Sequence, residues 1–134
     1  MIEKSGSLYD QIGGAPTLRK LVNHFYDLVA KHEDLIPIFP SELTEVKAKQ
    51  YLFLTQFLGG PSLYSEKHGH PMLRARHLPF EITPKRAGAW LHCMEQALDH
   101  TEIEEPLKSQ IFERLTLTAH HMINHWNQQE GTPS

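Results

Sequence analysis

Glycine and proline clusters divide this chain into long stretches whose apolar residues recur at the helical spacing, and no stretch of useful length alternates with period two. The fold class that follows is all-α. Leu18, Leu21, Val22, Phe25 and Val29 fall on one face of a helix expected over 16–31. Pro37 and Pro40 then bracket Phe39 in a bend. Val46, Gln50, Phe53, Leu54 and Phe57 restart the period in a helix over 43–58, halted by Gly59-Gly60-Pro61. Thr83 followed by Pro84 reads as an N-cap with proline in the first turn, opening a helix over 84–100 that carries Ala87, Trp90, Leu91, Met94 and Leu98 in register. Pro106 opens the last helix in the same way, over 106–126, with Ile111, Leu115, Ala119, Met122, Ile123 and Trp126 on one face. Two short helices are also expected, one capped by Ser7 and running to Ile12, the other over Met72–His77 and closed by Pro79. The segment 59–71 between them is rich in turn formers and has no period, so it reads as a loop.

A chain of 134 residues forms one domain, here 1–134 with frayed ends at 1–7 and 127–134. At this size about two-thirds of the unfolded surface is buried, enough for a core that encloses one cofactor. With 13 Lys and Arg against 16 Asp and Glu, the net charge is −3 and the cations are scattered, which leaves no basic stripe for nucleic acid. The single cysteine, Cys93, excludes an internal disulfide framework and fits a reducing compartment, so the cytoplasm is the expected location. Next to Met94 on a packed helix, Cys93 reads as a small core filler. No apolar run reaches membrane-spanning length, and Met1–Gly14 lacks the order of a secretory signal, so neither a membrane span nor a leader is expected.

Some residues are ones that a plain helical bundle would not choose. Gln50 puts a carboxamide in line with large apolar groups, where burial without a partner costs roughly 1–3 kcal/mol. Tyr26 lies one step off the stripe of its helix, and Trp90 lies within the stripe of another. Each of the three, taken singly, also fits ordinary core or core rim. Together they supply a hydroxyl, an amide and an indole N–H, as a site for a small polar ligand in an apolar pocket requires.

Histidine is abundant, with ten copies, but most of them assemble into nothing. His121 and His125 are four apart without the glutamate of a zinc protease motif, and His68 and His70 sit in a loop without a nearby cysteine. His77 has a different context, ending a short helix between Arg74 and Arg76 on one side and Leu78-Pro79-Phe80 on the other. That setting suits a haem, whose iron takes a neutral imidazole, whose macrocycle takes apolar walls and whose propionates take cations. By spacing alone His77 is one histidine in ten, and the plainer reading, a helix-terminal histidine favoured by the helix dipole, prevails.

Ile12-Gly-Gly, His24-Phe-Tyr-Asp, Pro37-Ile-Phe-Pro, the block FLTQFLGGPSLYSEKHGHPMLRARHLPF from Phe53 to Phe80, and Ala89-Trp-Leu-His-Cys-Met stand in one order along the chain. In these segments, and over Leu8–Asn124 as a whole, the sequence resembles the truncated haemoglobins of the second group, those with a tryptophan in the distal pocket. The resemblance implies a truncated globin fold, a two-over-two α-helical sandwich, carrying one haem b with His77 as the proximal iron ligand. It places Tyr26, Gln50, Trp90 and Val46 in the distal pocket, with Val46 where many globins carry a distal histidine. It assigns Phe39, Phe53, Leu54, Tyr64, Met72 and Phe80 to the haem walls, and Lys49 and Arg76 to the propionates.

The implied activity is reversible binding of dioxygen at ferrous iron with slow release. An alternative within the same family is nitric oxide dioxygenation or peroxidase-type chemistry, which needs an external reductase. Other small diatomic or anionic haem ligands are further expected partners, and the chain is expected to be a monomer or a weak homodimer. A rival from another class is a haem-free helical interaction module with surface histidines.

Overall fold

A computed structural model describes residues 6–126, and the expected frayed segments lie outside it except for Gly6 and Ser7. Seven α-helices and no strands occur among the described residues: α1 (Leu8–Gln11), α2 (Ala15–Val29), α3 (Thr44–Phe57), α4 (Leu63–His68), α5 (Leu73–His77), α6 (Pro84–His100) and α7 (Leu107–Met122), with a 3-10 turn at Ile36–Ile38 in the proline bend. The ends follow the local chemistry. The Ser7 hydroxyl accepts from the Asp10 N–H at 3.1 Å, and the Thr83 hydroxyl accepts from the Arg86 N–H at 3.1 Å. After α3, Gly59 turns the chain with φ +95°, and a side chain on Gly60 would stand 2.7 Å from the Tyr9 ring. Without these two glycines α1 could not lie against the end of α3.

The helices stack as two layers, α2 with α3 and α6 with α7, joined where α2 packs on α6. This is the two-over-two sandwich. Leu18, Leu21, Phe25 and Val29 of α2, Met94 and Leu98 of α6, and Ile111 and Leu115 of α7 form one dry core. The expected stripe of α3 behaves differently. Leu54 is buried in that core, but Val46, Gln50, Phe53 and Phe57 are only half-buried. Of these four, Val46, Gln50 and Phe53 line a cavity.

Two expectations are corrected. The stretch 59–71 is not all loop, because α4 forms within it, held by the Gln56 carboxamide: Gln56 Oε1 accepts from the Ser65 N–H at 2.9 Å and Nε2 donates to the Ser65 hydroxyl at 2.8 Å. Six residues span fewer than two turns, too few to display a period. The last helix stops at Met122, four residues short of the expected end, because Ile123 turns extended and the Asn124 and His125 N–H groups donate to the Ile82 carbonyl. Trp126 is consequently 65% exposed instead of sharing the buried face.

Cys93 sits in the core, where burial pushes its thiol pKa up, and it has no disulfide partner. The thiolate is the reactive form, so the native chain should react with a disulfide reagent at pH 8 at least about tenfold more slowly than the denatured chain. Equal rates would mean that the helix packing around it opens freely.

Candidate functional site

Between α2, α3, α5, α6 and α7 lies a cavity of about 520 Å³ with mostly apolar walls. Tyr26, Phe39, Val46, Lys49, Gln50, Phe53, Tyr64, Arg76, His77, Phe80 and Trp90 all line it, so eleven of the thirteen residues singled out in the sequence meet there. The other two do not. Leu54, one helical step from Phe53, points into the core at 1% exposure, while Met72 is exposed and lines a neighbouring open groove with Phe57 and Leu117. The sequence reading missed Ile82, Arg86, Ala87, Leu115 and Met122 as wall residues. Arg86 carried a usable signal, since it stands four residues before Trp90 and so on the same face of α6.

One side of the cavity is built from aromatic rings. Phe25 meets Tyr26 edge-on at 4.8 Å between centroids and Trp90 at 5.0 Å, and Tyr26 meets Phe39 at 6.0 Å. These contacts fix where the polar tips of Tyr26 and Trp90 can go. The Tyr26 side chain is buried, and its hydroxyl makes no hydrogen bond with any described residue. Burial alone pushes the phenol pKa well above its ordinary value, so the group stays neutral and keeps its proton to donate. A buried donor without a partner is rare in a folded protein and marks a place where something else accepts.

Facing this wall from α5, His77 Nδ1 lies 2.7 Å from the Leu73 carbonyl oxygen. A carbonyl only accepts, so Nδ1 carries a proton, and in the neutral ring Nε2 is the nitrogen with a free lone pair. The same arrangement orients ligating histidines in metal sites. At the mouth, Arg76 Nη2 donates to the His68 and His70 carbonyls at 3.0 and 3.2 Å, and Arg86 Nη1 donates to the Glu81 carbonyl at 2.8 Å. Lys49 is an exposed cation at the same rim.

No cluster of three His, Cys, Asp or Glu side chains capable of holding a metal ion occurs among the described residues. A bare metal needs three or four protein ligands, whereas a haem iron receives four nitrogens from its macrocycle and needs one imidazole. One bare imidazole nitrogen, apolar walls, cations at the rim and an orphaned phenol therefore fit a haem. The family model described as bacterial-like globin matches residues 7–124.

The chain belongs to the bacterial-like globins. Among its relatives, a group 2 truncated haemoglobin of Bacillus subtilis is 59% identical over 116 residues, which cover 87% of each chain. The crystal structure of the group II truncated haemoglobin of Bacillus anthracis superposes with a TM-score of 0.91 at 58% identity, over 93% of this chain and 96% of the other. That of a truncated oxygen-avid haemoglobin from Bacillus subtilis superposes with a TM-score of 0.86 at 57% identity, over 89% of this chain and all of the other. The protein is thus a group II truncated haemoglobin, a haem globin of the class that binds small diatomic ligands. None of the globin's described helices is long and apolar enough to cross a membrane.

Proposed function

We propose that this globin carries one haem b, held through His77 Nε2, and binds dioxygen reversibly with slow release. The observation that carries the reading is the buried Tyr26 hydroxyl, unpartnered and facing the same cavity as the Trp90 indole and the Gln50 carboxamide. When bound, the haem would supply a ferrous iron that takes up a diatomic molecule. Phe39, Phe53, Tyr64 and Phe80 wall the macrocycle and exclude water. Lys49 and Arg76 pair with the propionates at the rim, where exposed ion pairs contribute roughly 0–1 kcal/mol and orient the haem more than they hold it.

Tyr26 and Trp90 would donate hydrogen bonds to the diatomic ligand from the cavity wall, with Gln50 as a third polar neighbour. Inside a low-dielectric cavity such bonds are stronger than in water, so their loss acts mainly on release. The oxygen-avid relative from Bacillus subtilis supports this reading. The buried and unpaired Cys93 accords with a cytoplasmic location.

Trp90→Phe keeps an aromatic wall and removes the indole donor. Loss of about 1.4 kcal/mol of ligand stabilisation raises the release rate about tenfold, and stopped-flow dissociation of dioxygen measures it. A release rate equal to that of the wild type would remove Trp90 from the ligand's hydrogen bonds.

A further inference from the structure

The helix that presents His77 cannot hold its own position. It has five residues, well below the roughly 12–15 at which an isolated helix becomes marginally stable, and it starts from Met72 in the left-handed region at φ +42° without a side-chain cap. Three side chains tie it to the rest of the fold, two of its own and one from another part of the chain. Arg76 ties it back to the His68 and His70 carbonyls, and Arg74 Nη1 donates to the His121 and Ile123 carbonyls at 2.8 Å each, where α7 ends. The third is Asn124, just past the end of α7. Its Nδ2 donates to the carbonyls of His77 at 3.2 Å and Phe80 at 3.0 Å, while its Oδ1 accepts from the Ile82 N–H at 3.0 Å and from His125 Nδ1 at 3.0 Å.

His77 is therefore gripped twice, its ring by the Leu73 carbonyl and its main chain by Asn124, more than forty residues further along the chain. The grip calls for a carboxamide. Only Asn and Gln side chains offer two donors and an acceptor together, and the shorter one fits beside an extended backbone.

We infer that Asn124 is a positioning residue for the haem ligand: by pinning the His77 carbonyl it sets the tilt and reach of His77 Nε2 into the cavity. The inference rests on His77 being the ligand. It also explains why α7 stops at Met122, because a further helical turn would carry Asn124 away from the His77–Ile82 segment.

Asn124→Asp in the full chain separates the roles. A carboxylate still accepts from the Ile82 N–H, but it loses both donors and faces two carbonyls. In the haem-loaded ferrous protein, the iron–histidine stretching band in the resonance Raman spectrum should shift or broaden, and haem transfer to an acceptor apoglobin should quicken about tenfold. In the haem-free chain, amide exchange at Arg76, Leu78 and Phe80 should quicken by a similar factor. Should Asn124→Asp fail to fold, Asn124→Ser, which keeps one shorter donor, should move the same readouts in the same direction by less.

A variant whose melting temperature falls while the Raman band and haem transfer stay at wild-type values would reduce Asn124 to a structural residue and overturn the inference. A wild-type protein without any iron–histidine band would overturn the assignment of His77 itself. Unchanged amide exchange beside a normal wild-type band would overturn only the role of Asn124.

Discussion

His77→Gly is expected to raise the rate of haem loss by at least about a hundredfold, and added imidazole is expected to restore haem retention. Even changing the hydrogen-bond partner of a ligating histidine costs about 10–100-fold in metal affinity, so removing the imidazole itself costs more. Among the described residues His77 is the histidine that lines the cavity, and no other imidazole is placed to substitute for it. What remains in the variant is burial of the macrocycle against Phe39, Phe53 and Phe80 together with weak pairing at the rim. Imidazole diffusing into the space left by the side chain can supply the missing nitrogen. The measurement is the decay of the Soret band on mixing with an acceptor apoglobin, with and without imidazole. A variant that keeps its haem at the wild-type rate and with the wild-type ferrous spectrum would show that another residue is the ligand.

Tyr26→Phe is expected to act with opposite signs on two properties. Release of dioxygen should quicken about tenfold or more, because the hydroxyl that donates to the ligand is gone. The haem-free chain should melt no lower than wild type, and it gains up to about 1–3 kcal/mol if the removed hydroxyl was left wholly unpaired by folding. An ordinary buried tyrosine with a protein partner would instead lose stability. The pH dependence has a definite sign as well. Because burial raises the folded-state pKa of this phenol, it stays protonated through the ordinary range near pH 10, and release attributable to Tyr26 should show no titration below that point. Stopped-flow release and thermal unfolding of the haem-free chain test the two signs. A lowered melting temperature would place a protein acceptor on the hydroxyl, and an unchanged release rate would take Tyr26 out of ligand binding.

The helices that carry the site were legible because their evidence is local. The α2 stripe, the Ser7 and Thr83 caps and the prolines around Phe39 each involve residues within a few positions of one another. The candidate site was legible in part for the same reason. Gln50 and Trp90 stood out because each puts a polar group on an apolar face, and Tyr26 because it carries a hydroxyl one step off such a face, features that each helix shows by itself. Arg76 illustrates the limit: its place beside His77 could be read, but its bonds to the His68 and His70 carbonyls could not.

The sequence by itself determined the all-helical class and the positions of the long helices, whereas His77 was singled out by the family resemblance and not by its spacing. Tertiary structure decided which of two adjacent residues, Phe53 or Leu54, faces the cavity, since the rotation of α3 about its axis depends on what it packs against. It also decided that α4 exists, that α7 ends at Met122 and that Asn124 holds His77. A helix announces itself through residues three and four apart, whereas the hydrogen bonds that end α7 and tie α5 to it join groups more than forty residues apart, whose meeting exists only once the chain has folded.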